Sequence, residues 1–351
     1  MPACFSRIRE EHRMTPQFSY RFAIAMFAES GAPLGTYVAQ HDWEPVCEWT
    51  RFYFQRKGEL PLAGDCSASV LPLWENAAGE PYCRGYRVQI AQQGCEAVGS
   101  EFPREHFRAF AKSLASRLVE EKKLREGEYF SYALVAHPAP GEPAQTTGLQ
   151  VVNASPRIPA RPASFERFIS RSAQEGATEW SDVPVFVAPR VLEEAEAQTR
   201  AFEGTETGGI LIGSLWQDAQ MGEIFVEITA QIPAEHTQGS NIKLTFTPQT
   251  WAAAGAALRL RGRNEVFLGY WHSHPVRAWK CKQCTPEAQK TCPFARDFFS
   301  ADDEAVMRAA FPKAYSVALV ANDTAFDLTF SMFGNREGVT TPRGFFVLKE
   351  S

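Results

Sequence analysis

The sequence has no apolar run near the ~18 residues that cross a bilayer as a helix, so no membrane is expected among its partners. It has no excess of basic residues. Its 36 Lys and Arg face 41 Asp and Glu, and the net charge of −5 argues against a general nucleic-acid binder. Met1 to Met14 is charged and lacks an apolar core, so no signal peptide is expected, and Met14 is a second candidate for the initiator. A cysteine framework is also missing. Eight cysteines are scattered along the chain apart from one cluster, which fits a reducing, cytoplasmic compartment. What remains is ordinary globular composition, 44% hydrophobic and 22% charged, over 351 residues, a length that favours two domains.

The first half reads as a small α+β domain over residues 1–155. Phe18 to Phe27 alternates, with Phe18, Tyr20, Phe22, Ile24 and Met26 on one face, as a strand does. Trp49 to Phe54 and Tyr86 to Ile90 read as further strands, and Tyr129 to Val135 as another. Pro103 to Lys123 is the clearest helix, with Phe107, Phe110, Ala111, Leu114 and Leu118 in one stripe and Pro103 suited to the first turn. No motif in this half carries chemistry. Pro156, Pro159 and Pro162 mark an extended linker, placed over residues 156–180, within a Pro- and Ala-rich stretch from Pro138 to Ser164.

Residues 181–351 alternate elements as an α/β domain does. Strands are expected over Val185–Val187, Gly208–Leu215, Glu223–Ile232, Val266–Trp271, Tyr315–Ala321 and Phe326–Phe333, the last two finishing the sheet. Helices are expected over Pro189–Phe202, from Thr247-Pro248 to Arg261, and from Ser300 to about Ala310.

Chemistry concentrates in Gly269-Tyr270-Trp271-His272-Ser273-His274-Pro275. On a strand, residues i and i+2 share a face, so His272 and His274 can reach one metal ion. Pro275 then ends the ladder and leaves the pair at the strand's end. Ser300-Ala301-Asp302-Asp303 opens a helix downstream, and Glu206 stands before the apolar strand Gly208-Gly209-Ile210-Leu211-Ile212-Gly213 upstream. Each has a plainer reading. Ser300 is a natural N-cap with Asp303 as its capping-box partner, Glu206 could be a solvated charge, and Asp302 is an alternative to Asp303.

Taken together and in order, these parts resemble the JAB/MPN/Mov34 metalloprotease family with its JAMM motif: a Glu on an early strand, then His-x-His-Pro, then Ser-x-x-Asp. The resemblance covers roughly residues 180–351 and is closest to the family's bacterial, deubiquitinase-like branch. It implies a mixed-sheet, cytidine-deaminase-like α/β sandwich. It further implies a catalytic zinc on His272, His274 and Asp303, with Glu206 as general base and Ser300 as oxyanion donor. The implied activity is a zinc isopeptidase cutting after the C-terminal glycine of a ubiquitin-like protein. Partners would be that protein or its conjugates, with activating and conjugating enzymes in a bacterial conjugation system, of which antiviral defence is one setting. Two other classes stay open, a non-catalytic scaffold of the same fold and another zinc hydrolase of the superfamily. Scaffold members lose the ligands, which are all here. RadC-like relatives usually carry Asn between the histidines and Ser-Gly after the proline, where this chain has Ser273 and Val276-Arg277. Zinc deaminases need His-x-Glu and Pro-Cys-x-x-Cys, and neither occurs.

The chain departs from the family in a long insertion between His274 and Ser300. It holds Cys281, Cys284 and Cys292, a Cys-x2-Cys-x7-Cys spacing. Cys-x2-Cys forms half of a typical structural zinc site, so a second zinc is a candidate, with a distant Cys or Asp297 as fourth ligand. The alternative is three reduced thiols in a polar loop. Arg277, Lys280, Lys282, Lys290 and Arg296 give the insertion a basic face, either solvated or met by an acidic partner.

Overall fold

The computed structural model describes residues 20–77, 80–138, 154–155, 158–202, 204–234, 246–276, 298–324 and 327–349. They divide between residues 157 and 158 into two compact units, with 56–58 grouped with the second.

The first unit runs β1 (Tyr20–Ala28), β2 (Pro33–Val38), α1 (Glu44–Arg56), β3 (Gly64–Ala77), β4 (Glu80–Gln92), β5 (Val98–Pro103), α2 (Arg108–Glu120), β6 (Phe130–Pro138) and β7 (Ala154–Ser155). The strands form one sheet in the order β2-β1-β6-β4-β3-β7, with β5 on β4. Phe22, Ile24 and Met26 enter the core as the alternation expects.

Residues Trp49–Phe54, expected as a strand, are helical. Their polar neighbours explain why. Arg51 donates to Glu48 at 2.7 Å and to Gln55 at 2.7 Å, and the Thr50 hydroxyl donates to the Val46 carbonyl at 2.7 Å. Pairs at i,i+3 and i,i+4 meet only on a helix. The apolar run was too short for its period to show. The expected helix over Pro103–Lys123 begins instead with a 3-10 turn at Arg104–Phe107 and is α-helical only over α2.

The second unit runs β8 (Ala160–Pro162), α3 (Phe165–Ser170), β9 (Ser172–Glu175), β10 (Val185–Val187), α4 (Pro189–Ala201), β11 (Gly208–Asp218), β12 (Glu223–Pro233), α5 (Pro248–Arg261), β13 (Val266–His274), α6 (Ala301–Ala310), β14 (Val317–Asp323), β15 (Leu328–Arg336), β16 (Val339–Arg343) and β17 (Phe345–Leu348). Among the described residues it is a mixed sheet, ordered β16-β15-β14-β13-β11-β12-β10-β17-β9, with β8 on β11.

The expected linker over 156–180 is therefore corrected. Ile158 is buried, β8 pairs with β11, Phe168 packs with Phe186 and Phe225, and β9 pairs with β17. Proline here serves a three-residue edge strand, where no ladder donor is required of it. The sheet also continues past Phe333 into β16 and β17, so the expected last strand is not the last.

Centrally, β13 lies between β11, antiparallel, and β14, parallel. The β11–β13 register slips between Leu211 and Ile212, leaving Leu268 outside the ladder. The next residue, Gly269, has φ 155°, and a Cβ there would sit 1.7 Å from the Val317 carbonyl oxygen. Only glycine lets β14 approach at this point. Gly269→Ala is expected to lower stability by about 1–3 kcal/mol or more, the usual range for overpacking. A thermal melt of the variant checks this, and an unchanged midpoint would contradict the account.

Candidate metal centre

His272 and His274 end β13, each 2% exposed and on the face carrying Tyr270. Their Nε2 atoms lie 2.9 Å apart. Asp303, in the first turn of α6, places Oδ1 3.3 Å from His272 Nε2 and Oδ2 4.0 Å from His274 Nε2. One ligand atom from each residue lies within 4.8 Å of the other two. For tetrahedral zinc at ~2.0–2.2 Å from N and O ligands, ligand-to-ligand edges are about 3.3–3.6 Å. The trio brackets that spacing, and two imidazoles with one carboxylate is a donor set of the right chemistry. The residues present fit a metal ion.

Burial, then the neighbouring His272, pushes the His274 pKa down to about 3, so its imidazole is neutral near pH 7. Burial opposes ionisation of Asp303, but hydrogen bonds with His272 and Ser300 outweigh it and hold the carboxyl well below its usual range. A neutral imidazole and an ionised carboxylate are the forms a metal takes.

The Ser300 capping box aims Asp303. Ser300 is the N-cap of α6, and its hydroxyl accepts from the Asp303 amide at 3.1 Å. The same hydroxyl donates to Asp303 Oδ2 at 2.7 Å, as does the Ser300 amide at 2.8 Å. With Oδ2 taken by Ser300, Oδ1 is left to face His272. Here the two readings of Ser300 coexist, since capping is what orients the acid. Asp302, the alternative acid, is exposed and outside the trio.

Aromatic rings hold the imidazoles. Phe298 stacks on His274 with centroids 4.4 Å apart, and Tyr270 stacks on His272 at 5.4 Å. The Tyr270 hydroxyl donates to the Asp303 carbonyl at 3.3 Å, tying strand to helix. Burial, with the charges of Asp303 and Glu206, raises the pKa of that hydroxyl and keeps it a neutral donor.

Glu206 is 8% exposed, so it is not a solvated charge. The register pairs Gly208 with His272, and the Ser273 amide donates to the Thr207 carbonyl at 2.8 Å. Continued two residues, it sets Glu206 opposite His274, on the histidine face.

Asn322 was not singled out from the sequence. It lies beside His274 in the parallel β13–β14 register, is 5% exposed and shares a side-chain hydrogen bond with that imidazole. Its Nδ2 donates to the Ser331 hydroxyl at 2.9 Å, which fixes the amide's orientation. Nothing local in Ala-Asn-Asp marks it, because the pairing comes from a strand some fifty residues away. Asn322→Leu is expected to weaken metal affinity about 10–100-fold with the fold retained, the usual cost of losing a group that orients a ligand. A competitive zinc titration checks it.

Cys281, Cys284 and Cys292 lie outside the described residues, as do Asp297 and the basic residues of the insertion. Cys47, Cys66, Cys83 and Cys95 are free. Among the described residues no helix is long and apolar enough to cross a membrane.

No protein-family model matches the chain, and no curated protein matches it. Among solved structures it is similar to protein DSY2949 from Desulfitobacterium hafniense, with 20% identity over 47% of this chain and 94% of that one, at a TM-score of 0.34. At that TM-score the likeness carries neither fold nor function across.

Proposed function

We propose that residues 158–351 form a zinc-dependent isopeptidase of the JAB/MPN/Mov34 kind, cutting after the C-terminal glycine of a ubiquitin-like protein. The observation that carries this reading is the convergence of His272, His274 and Asp303 within 4.8 Å, with Glu206 buried two residues before the neighbouring strand β11. Three protein ligands leave one tetrahedral position open, as catalytic rather than structural zinc sites do. A zinc held there would supply Lewis acidity and lower the pKa of the attacking water to ~7.

The chain's own groups do the rest. Glu206 takes the proton of the attacking water and delivers it to the leaving amine. Ser300 orients Asp303 and, by turning its hydroxyl proton away from Oδ2, can donate to the developing oxyanion, where one lost donor costs ~3 kcal/mol. The partners proposed are a ubiquitin-like protein or its conjugates and the enzymes that activate and conjugate it, in a cytoplasmic bacterial system. The first unit, which has a core of its own, is proposed to bind substrate or a conjugation partner.

The test is cleavage of a ubiquitin-like protein fused through its C-terminal glycine to a reporter, alongside elemental analysis. Freshly purified protein is expected to hold at least one zinc per chain and to cleave the fusion, and a strong chelator should abolish cleavage. Metal-free protein that cleaves equally well in chelator would refute the mechanism. Metal-loaded protein inert on ubiquitin-like fusions but active on other amides would favour a different zinc hydrolase.

A further inference from the structure

Two cavities of the second unit, away from the metal cluster, share Glu227 as a common wall. One, of about 510 Å³, is lined by Arg161, Ser214, Thr229, Arg263 and Asn264. The other, of about 420 Å³, is lined by Arg167, Phe168, Arg171 and Trp216. Both lie where β8 pairs with the far end of β11, the end remote from Gly208.

Two of the arginines are held in place. The β8–β11 register sets Arg161 beside Trp216, and its guanidinium lies 4.3 Å from the indole centroid while donating to the Ser214 hydroxyl. Arg171 stacks on Phe168 at 4.6 Å, and its Nε is buried without a hydrogen-bond partner among the described residues. Arg167 and Arg171 are four apart, one on α3 and one just beyond it.

Their charge is only partly balanced locally, by Glu227 in the shared wall and, for Arg263, by Glu265 at longer range. Elsewhere in this chain Arg84, Arg87, Arg117, Arg200 and Arg308 each face a carboxylate within 4.0 Å. Among the described residues, Arg161, Arg167, Arg171 and Arg263 form no such pair. The two acids at hand are engaged. Glu265 is gripped by Arg261 at 2.6 and 2.8 Å and accepts from the Thr229 hydroxyl. Glu227 accepts from the Trp216 indole at 2.9 Å. Four guanidiniums with no close ion pair among the described residues outnumber the one unpaired carboxylate, Glu227, and two of them are pinned on aromatic faces, a ready receptor for an anion with several oxygens.

We propose that these adjoining clefts bind an organic phosphate, with phosphate oxygens on the arginine forks and a ligand N–H or O–H on Glu227. The volumes suit a ligand of nucleotide or sugar-phosphate size. Two open clefts on either side of one carboxylate suit a compact molecule carrying a phosphate at one end and hydrogen-bond donors at the other. An acidic peptide would instead bring its repeated carboxylates close to the like charge of Glu227. The proposal is independent of the zinc reading.

The test is calorimetric titration of the full chain with ADP, glucose 6-phosphate and pyrophosphate, and with an oligo-glutamate peptide as the rival. Saturable binding of ADP or glucose 6-phosphate, one per chain, is expected. Arg167→Glu with Arg263→Glu should weaken it at least tenfold. Both side chains are exposed, so the melting temperature without ligand and the zinc content should stay at wild-type values. No binding of the three phosphates at millimolar concentration overturns the proposal. So does binding that charge reversal leaves unchanged, or oligo-glutamate binding at least as tight as the phosphates.

Discussion

Asp303→Ala is expected to lose both bound zinc and cleavage, while Asp302→Ala leaves both near wild type. Asp303 is the anionic member of the ligand trio, and its Oδ1 lies 3.3 Å from the His272 ring nitrogen. Without it two imidazoles remain, one short of the three protein ligands a catalytic zinc needs. The variant also loses half of the Ser300 capping box, at a cost of about 0.5–2 kcal/mol, which a domain with this much buried sheet tolerates. Asp303→Asn separates the two effects, because it keeps the shape of the box and removes the charge. The measurement is zinc per chain beside a thermal melt and the fusion assay. If Asp303→Ala binds zinc as wild type does, the assigned ligand set is wrong. If Asp302→Ala is the one that loses metal, the acid has been misassigned.

Glu206→Ala is expected to keep zinc and fold but to lose turnover by ~10²–10⁴, the usual contribution of a general base. Such a variant should still bind the ubiquitin-like conjugate and hold it uncut. The reasoning rests on placement. Glu206 lies two residues before β11, buried at 8% exposure, yet among the described residues belongs to no group of converging ligand atoms. Its charge reaches the Tyr270 hydroxyl, on the strand that carries the histidines. Single-turnover cleavage with a zinc measurement distinguishes the outcomes. Cleavage at the wild-type rate would remove Glu206 from the mechanism. Loss of metal in this variant would instead make it a ligand and close the open position.

Legibility varied with the physical origin of each feature. Period-two and period-3.6 patterns placed β1, β12 and α4 close to their observed bounds, an unbroken apolar run placed the start of β11, and the Thr247-Pro248 cap placed α5. The chain between Trp49 and Phe54 misled, because a short aromatic run fits either period. Its helical state is decided by Glu48–Arg51–Gln55 pairing and by burial on nearly every side. Residues 158–175 misled differently. Their proline content reads as a linker, but burial of Ile158 and Phe168 against distant partners makes them part of the second unit's sheet and core.

For the candidate site, the sequence by itself determined the ligand types and two local geometries. His272 and His274 share a face because strands repeat every two residues, and Ser300 caps α6 over Asp303 because helix amides need acceptors. It could not decide what those two segments meet. The parallel pairing of β13 with β14 brought Asn322 to His274, and the packing of α6 under Tyr270 brought Asp303 to the histidines. The extra residue opposite Leu211–Ile212, with Gly269 beside it, set the strand register that faces Glu206 toward the pair. The arginines around Glu227 likewise become one cluster only when β8 joins β11. These are long-range pairings. They arise from burial of whole faces rather than from any local preference, so no reading of neighbours along the chain contains them.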